Sequence, residues 1–84
     1  MNSKKILITG ASRGIGKKIF QQLNKNNNKL FLISNNKNRI KALRKIYKNK
    51  NIKIFECDLK NYKKLSKIIN YIGPIDILIN NASI

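Results

Sequence analysis

The chain has 84 residues, one cysteine and a net charge of +16, enough for a single small domain and too few thiols for an internal disulfide or a cysteine metal site. No run approaches the ~20 apolar residues of a membrane span, and residues 6–8, the apolar stretch behind the charged start, are far too short for a secretory signal. A cytoplasmic protein with no membrane partner is the expectation, so the sequon at Asn81-Ala82-Ser83 is set aside.

Residues 5–9 form a continuous apolar run, as in a strand covered on both faces. A glycine-bearing turn, residues 10–14, follows it. Ile15, Ile19 and Leu23 then recur at helical spacing, with Asn27 as a plausible stop. Residues 30–33 read as a second strand. Ile40, Leu43 and either Ile46 or Tyr47 mark one face of a second helix, whose other positions are basic: Lys37, Arg39, Lys41, Arg44, Lys45 and Lys48. Residues 52–55 make a third strand. Leu65, Ile68, Ile69 and Ile72 give a third helical stripe, which Gly73-Pro74 stops. Residues 77–79 make a fourth strand.

The order βαβαβαβ spells an α/β fold with a parallel sheet. Right-handed crossovers lead to the strand order 3-2-1-4, half of a doubly wound, Rossmann-type sheet. Strand four would then carry an exposed apolar edge where a fifth strand would pair, so the pattern is expected to be interrupted after strand four, with residues 1–84 forming one nucleotide-binding half-domain.

The strongest chemical signal is Thr9-Gly10-Ala11-Ser12-Arg13-Gly14-Ile15-Gly16, between a strand pattern and a helix pattern. Glycines at such a junction permit a tight turn, close approach of backbone to phosphate and close helix–strand packing. A helix starting near Gly14 would aim free N–H groups and the positive end of its dipole at a pyrophosphate. The spacing is Gly-x-x-x-Gly-x-Gly, which differs from the general dinucleotide fingerprint. A ligand-free glycine turn is the bland alternative, and the strand–turn–helix context weighs against it.

This string resembles the cofactor loop of the classical short-chain dehydrogenase/reductase family. Three later segments resemble the same family in the same order: Ser34-Asn35-Asn36-Lys37-Asn38-Arg39-Ile40 after strand two, Cys57-Asp58-Leu59 after strand three, and Asp76-Ile77-Leu78-Ile79-Asn80-Asn81-Ala82-Ser83 at strand four. Among subfamilies, the motifs are similar to those of 3-oxoacyl-[acyl-carrier-protein] reductases of fatty-acid synthesis. The resemblance implies a cofactor site built from Gly10, Ala11, Ser12, Arg13, Gly14, Ile15, Gly16, Ser34, Asn35, Asp58, Leu59, Asn81 and Ala82. In it Asp58 contacts the adenine and Asn81 the ribose, while Asn80 braces the strands. Asp58 has a second reading, as the cap of its own following turn. Ser83 departs from the family's glycine and would crowd backbone on the nicotinamide side.

Charge argues the choice of cofactor. Enzymes that prefer NAD carry an acid at the end of strand two for the ribose 2′-hydroxyl; here Ser34, Asn35 and Asn36 stand there. A carboxylate would repel a 2′-phosphate, and Arg13, with Lys37 near it, can hold one through charge-assisted hydrogen bonds. In the family, arginine at the position of Arg13 goes with NADP. NADP (NADPH) is therefore expected over NAD.

The family's hydride transfer relies on a tyrosine acid, a lysine four residues on and a serine. Four residues past Tyr47, Tyr62 and Tyr71 stand Asn51, Ser66 and Ile75, and the chain has no histidine to substitute. No catalytic residue is assigned. The chain alone is expected not to reduce the small-molecule or acyl-carrier-bound carbonyl that the resemblance implies, and to lack the helices of the family's oligomer interface. Two other readings remain: a free-standing, non-catalytic NADP-binding module, and a basic nucleic-acid binder. The last ranks lowest. Lys, Asn and Ile share A/T-rich codons, so base composition can account for the charge without selection for it, and Tyr47 is the one aromatic within the basic stretch 37–50.

Overall fold

A computed structural model describes residues 4–10, 18, 28–48 and 51–80. In chain order these form β1 (Lys5–Thr9), β2 (Lys29–Ser34), α1 (Lys37–Ile46), β3 (Ile52–Glu56), α2 (Tyr62–Ile72) and β4 (Ile77–Asn80). The helix expected between β1 and β2 lies outside the described residues, apart from Lys18, which is helical and exposed. All strand pairs are parallel and the sheet order is β3-β2-β1-β4, as expected for the first half of a doubly wound sheet.

Each strand's alternation sends side chains to two separate cores. Ile6 and Ile8, Leu30 and Leu32, and Ile52 and Ile54 face one side, where Ile40 and Leu43 of α1 cover them. Leu7, Phe31 and Ile33 face the other, packed with Cys57 and with Ile68 and Ile72 of α2. A central strand buried on both faces has no polar face to offer, which is why β1 and β2 read as unbroken apolar runs.

Both described helices begin on an asparagine. Asn36 Oδ1 accepts from Arg39 N at 3.1 Å, and Asn61 Oδ1 from Lys64 N at 3.2 Å, each satisfying an amide that has no partner in the first turn. Arg44 and Lys45 sit in the last turn of α1, where positive charge complements the dipole. That helix ends at Ile46, which is exposed, and Tyr47 packs against the core instead. In α2 the expected stripe is narrower than its spacing suggests: Ile68 and Ile72 are buried, Leu65 is half-buried, and Ile69 turns outward. Arg44 reaches past the helix, and its Nη2 donates to the Ile54 carbonyl at 2.8 Å, covering part of the β3 edge. On the opposite edge Leu78 of β4 is 62% exposed.

The chain leaves α2 through Gly73 at φ 79° and ψ −158°, a region essentially restricted to glycine. Lys5 Nζ donates to the Ile72 carbonyl there at 2.9 Å, closing an end the helix cannot satisfy itself. Gly73→Ala is expected to lower stability by about 1–3 kcal/mol in urea denaturation. The added methyl would meet Lys5 Nζ only at ordinary contact, 3.6 Å, so the cost is backbone strain rather than crowding. An unchanged midpoint would contradict this reading of the turn.

Candidate nucleotide site

In an open parallel sheet, ligands bind beyond the carboxyl ends of the strands, at the point where the strand order reverses. Here that point lies between β1, whose neighbours are β2 and β4, and the strands on either side. Gly10 leaves β1 at φ 72°, a left-handed conformation that suits glycine. Its amide donates to the Ile33 carbonyl at 3.1 Å, so the start of the glycine turn is pinned to β2. Ala11, Ser12, Arg13, Gly14, Ile15 and Gly16 lie outside the described residues, as do Asn81, Ala82 and Ser83.

Ser34 ends β2 in a buried position, and its Oγ accepts from the Asn36 amide at 3.2 Å. Its carbonyl accepts from Cys57 N at 2.9 Å. This bond joins the ends of β2 and β3, holding the two family-like segments side by side. Asn35, between Ser34 and the helix cap, is exposed. The buried Cys57 thiol donates to the Asp58 carbonyl at 3.2 Å. Asp58 is exposed, and its Oδ1 accepts from Lys60 N at 2.9 Å while its carbonyl accepts from Asn61 N at 2.8 Å. The carboxylate thus caps its own turn. Leu59 is half-buried and packs into the α2-side core, so it anchors the loop that carries Asp58.

On the other side of Gly10, the Thr9 hydroxyl donates to Asn80 Oδ1 at 2.8 Å, across the paired positions of β1 and β4. Asn80 therefore ties these strands together, the bracing role expected of it. Thr9→Val keeps the shape and removes the donor; it is expected to cost about 1 kcal/mol and to speed hydrogen exchange in β4 more than in β2. Equal exchange in both strands would exclude a specific tie.

One residue of the rim escapes a linear reading. No acid stands at the end of β2, yet register pairs Ser34 with Glu56 of β3, so the fold delivers a carboxylate to that corner from the neighbouring strand. Glu56 Oε2 lies 3.9 Å from Lys37 Nζ. Both side chains are solvent-accessible and the distance is long, so the pair contributes little to stability. Its effect is on local charge: Lys37 faces an acid. The signal was available only through strand register, since Glu56 precedes the Cys57-Asp58-Leu59 segment and by spacing alone belongs to the strand.

The residues from 4 to 84 match the family described as short chain dehydrogenase. The chain belongs to the short-chain dehydrogenase family. It is 37% identical over 84 residues to the 3-oxoacyl-[acyl-carrier-protein] reductase FabG of Rickettsia prowazekii (strain Madrid E), a match covering all of this chain and 34% of the relative. It is 32% identical over 92 residues to the 15-hydroxyprostaglandin dehydrogenase [NAD(+)] of Rattus norvegicus, again over all of this chain and 35% of the relative. Among solved structures, NADPH-bound ElxO superposes with a TM-score of 0.82 at 30% identity, covering 99% of this chain and 36% of ElxO. The chain thus spans about a third of the length of the relatives it matches. The described portion is a parallel sheet in the order β3-β2-β1-β4 with two of its crossover helices. No described helix is long and apolar enough to cross a membrane.

Proposed function

We propose that this chain is the nucleotide-binding portion of an NADP-dependent oxidoreductase acting on a carbonyl or hydroxyl group, with 3-oxoacyl-[acyl-carrier-protein] reduction as the leading whole-protein activity. The observation that carries the reading is Gly10, in the left-handed conformation at the end of the central strand of a 3-2-1-4 parallel sheet. It opens a glycine turn at the switch point where dinucleotides bind. The rim suits the adenosine end of such a cofactor: a glycine without a side chain, the buried Ser34, and Asp58 held by its own turn with its second carboxylate oxygen unpartnered among the described residues.

The cofactor supplies the hydride. The chain's own part is to bind and orient it. Gly10 lets the backbone approach the pyrophosphate, and residues 11–16 would offer amides to it. Asp58 and Leu59 would flank the adenine, Ser34 and Asn35 the ribose, and Asn81 and Ala82 the ribose on the nicotinamide side. A tyrosine–lysine pair four residues apart is absent from the sequence, so turnover by these 84 residues alone is not expected. The similar proteins include both an NADPH-bound structure and an NAD(+) dehydrogenase, so the preference rests on this chain's charges. Arg13 and Lys37 favour a 2′-phosphate, and Glu56 beside Lys37 opposes it.

Titration of the purified chain with NADPH and with NADH, followed by nucleotide fluorescence, tests the reading. Saturable binding with NADPH favoured is the expected result. Equal affinity for the two would remove the NADP assignment, and no binding by a folded chain would remove the proposal. Glu56→Gln is expected to widen the NADPH preference by about three- to tenfold, the effect of deleting one exposed charge a few ångströms away. A narrowed preference would mean that Glu56 contacts the ribose instead.

A further inference from the structure

At the end of the sheet opposite the nucleotide cleft lies a recess of about 350 Å³, a size suited to a small organic ligand. It opens where β1, β2 and β3 begin, beside the last turn of α2. Given a strand rise of ~3.3 Å per residue, the length of β1 separates it from Gly10, so it is no extension of the cleft. Three lysines line it, Lys5, Lys29 and Lys53. Lys5 and Lys29 are direct register partners on neighbouring strands, and Lys53 pairs with Phe31. Like charges facing each other across adjacent strands repel.

Protein groups quench this repulsion only in part. Lys5 Nζ gives one hydrogen bond to the Ile72 carbonyl, and Lys53 Nζ one to the Tyr71 hydroxyl at 2.6 Å, leaving each ammonium with further donors. Lys29 Nζ has no partner among the described residues. The nearest acid, Asp76, spends one oxygen on the Lys5 backbone amide at 2.8 Å, and the ion pair found among the described residues, Lys37–Glu56, is at the other end of the sheet. The recess also has an apolar side. Phe31 and Ile72 are buried at its base. The Tyr71 ring is 63% exposed yet fixed in place: Phe55 meets it edge-on at 6.0 Å, and Lys53 Nζ sits 4.9 Å from its centre.

We propose that this recess binds a small aromatic phosphate monoester. The phosphate, between singly and doubly charged near neutral pH, bridges the three ammonium groups through charge-assisted hydrogen bonds. The aromatic body lies against Tyr71 and over Phe31, where an apolar ring gains by leaving water. Neither half of the ligand would suffice. Inorganic phosphate lacks the ring, and a phenol lacks the charge that relieves the lysines.

The test is a titration of the full, isotope-labelled chain with 1-naphthyl phosphate, followed by amide chemical shifts. Saturable shifts at Lys29, Asn51, Lys53 and Tyr71, with Gly10, Ser34 and Asp58 unmoved, are expected. Inorganic phosphate and 1-naphthol should each bind at least about tenfold more weakly. Lys29→Glu and Lys53→Glu should each weaken binding about tenfold, and Lys41→Glu on the exposed face of α1 should leave it unchanged. Lys29→Gln, which removes the charge without reversing it, serves if a reversal disturbs the fold. Shifts centred on Ser34 and Asp58, shifts spread over the lysines of α1, or binding indifferent to Lys29 and Lys53 would each overturn the proposal.

Discussion

Leu30→Ala is expected to remove about 2–5 kcal/mol of stability, a large share of the whole. A domain of this size has roughly 4–13 kcal/mol in total. Leu30 has no exposed surface and lies in β2, between β1 and β3, in the core that α1 covers. Its amide donates to the Asn51 carbonyl at 2.8 Å, so the backbone cannot shift to fill the void without giving up a strand bond. A cavity lined by Ile6, Ile52 and their neighbours would remain, and the lost contacts add to the lost transfer energy. The paired control is Leu78→Ala. The same side-chain change at a position 62% exposed is expected to stay within about 0.5 kcal/mol. Urea denaturation followed by circular dichroism reads both. Equal losses at the two sites would contradict the described burial.

Arg13→Glu carries the second large effect, on cofactor affinity rather than stability. If Arg13 holds the 2′-phosphate, the substitution removes a charge-assisted pair and sets a carboxylate against the dianion. A hydrogen bond to a charged group contributes ~1.5–3 kcal/mol, so NADPH affinity should fall by about a hundredfold. NADH has no 2′-phosphate, so its affinity should change by less than about threefold. The NADPH preference would vanish or invert. A parallel loss for both nucleotides would mean that Arg13 serves the pyrophosphate or the turn, and a change in neither would make it a solvated loop charge. Competition between the two nucleotides in one fluorescence assay separates these outcomes.

The strands and their order were legible because β1 and β2 are buried on both faces, so nothing polar interrupts residues 6–8 or 30–33. Periodicity also located both described helices. It could not choose between Ile46 and Tyr47, which are adjacent and both apolar. The choice follows from where α1 ends, since the Tyr47 amide still bonds to the Leu43 carbonyl while its side chain swings to the core. Gly73 was readable because it answers a local demand, a glycine-only backbone at a helix end, whereas the Asn80 tie, which spans 71 residues, was readable only through the family resemblance. Glu56 was not, because its relation to Ser34 and Lys37 arises from register between strands. Nor were Arg44 on the Ile54 carbonyl and Lys5 on the end of α2, since long basic side chains reach partners that spacing does not encode.

The central position of β1 has a consequence for synthesis. Its residues pair on one side with β2 and on the other with β4, and the Thr9–Asn80 and Lys5–Asp76 hydrogen bonds span 71 residues of sequence. A ribosome moving at ~5–20 residues per second makes β1 first and then needs roughly 4 to 14 s to deliver its second partner. Throughout that interval one side of a strand that is apolar on both faces has no backbone to bond. During translation the exposed edge is β1 itself, a site for chaperone capture or for pairing with another nascent chain, and its closure waits on residues 77–80.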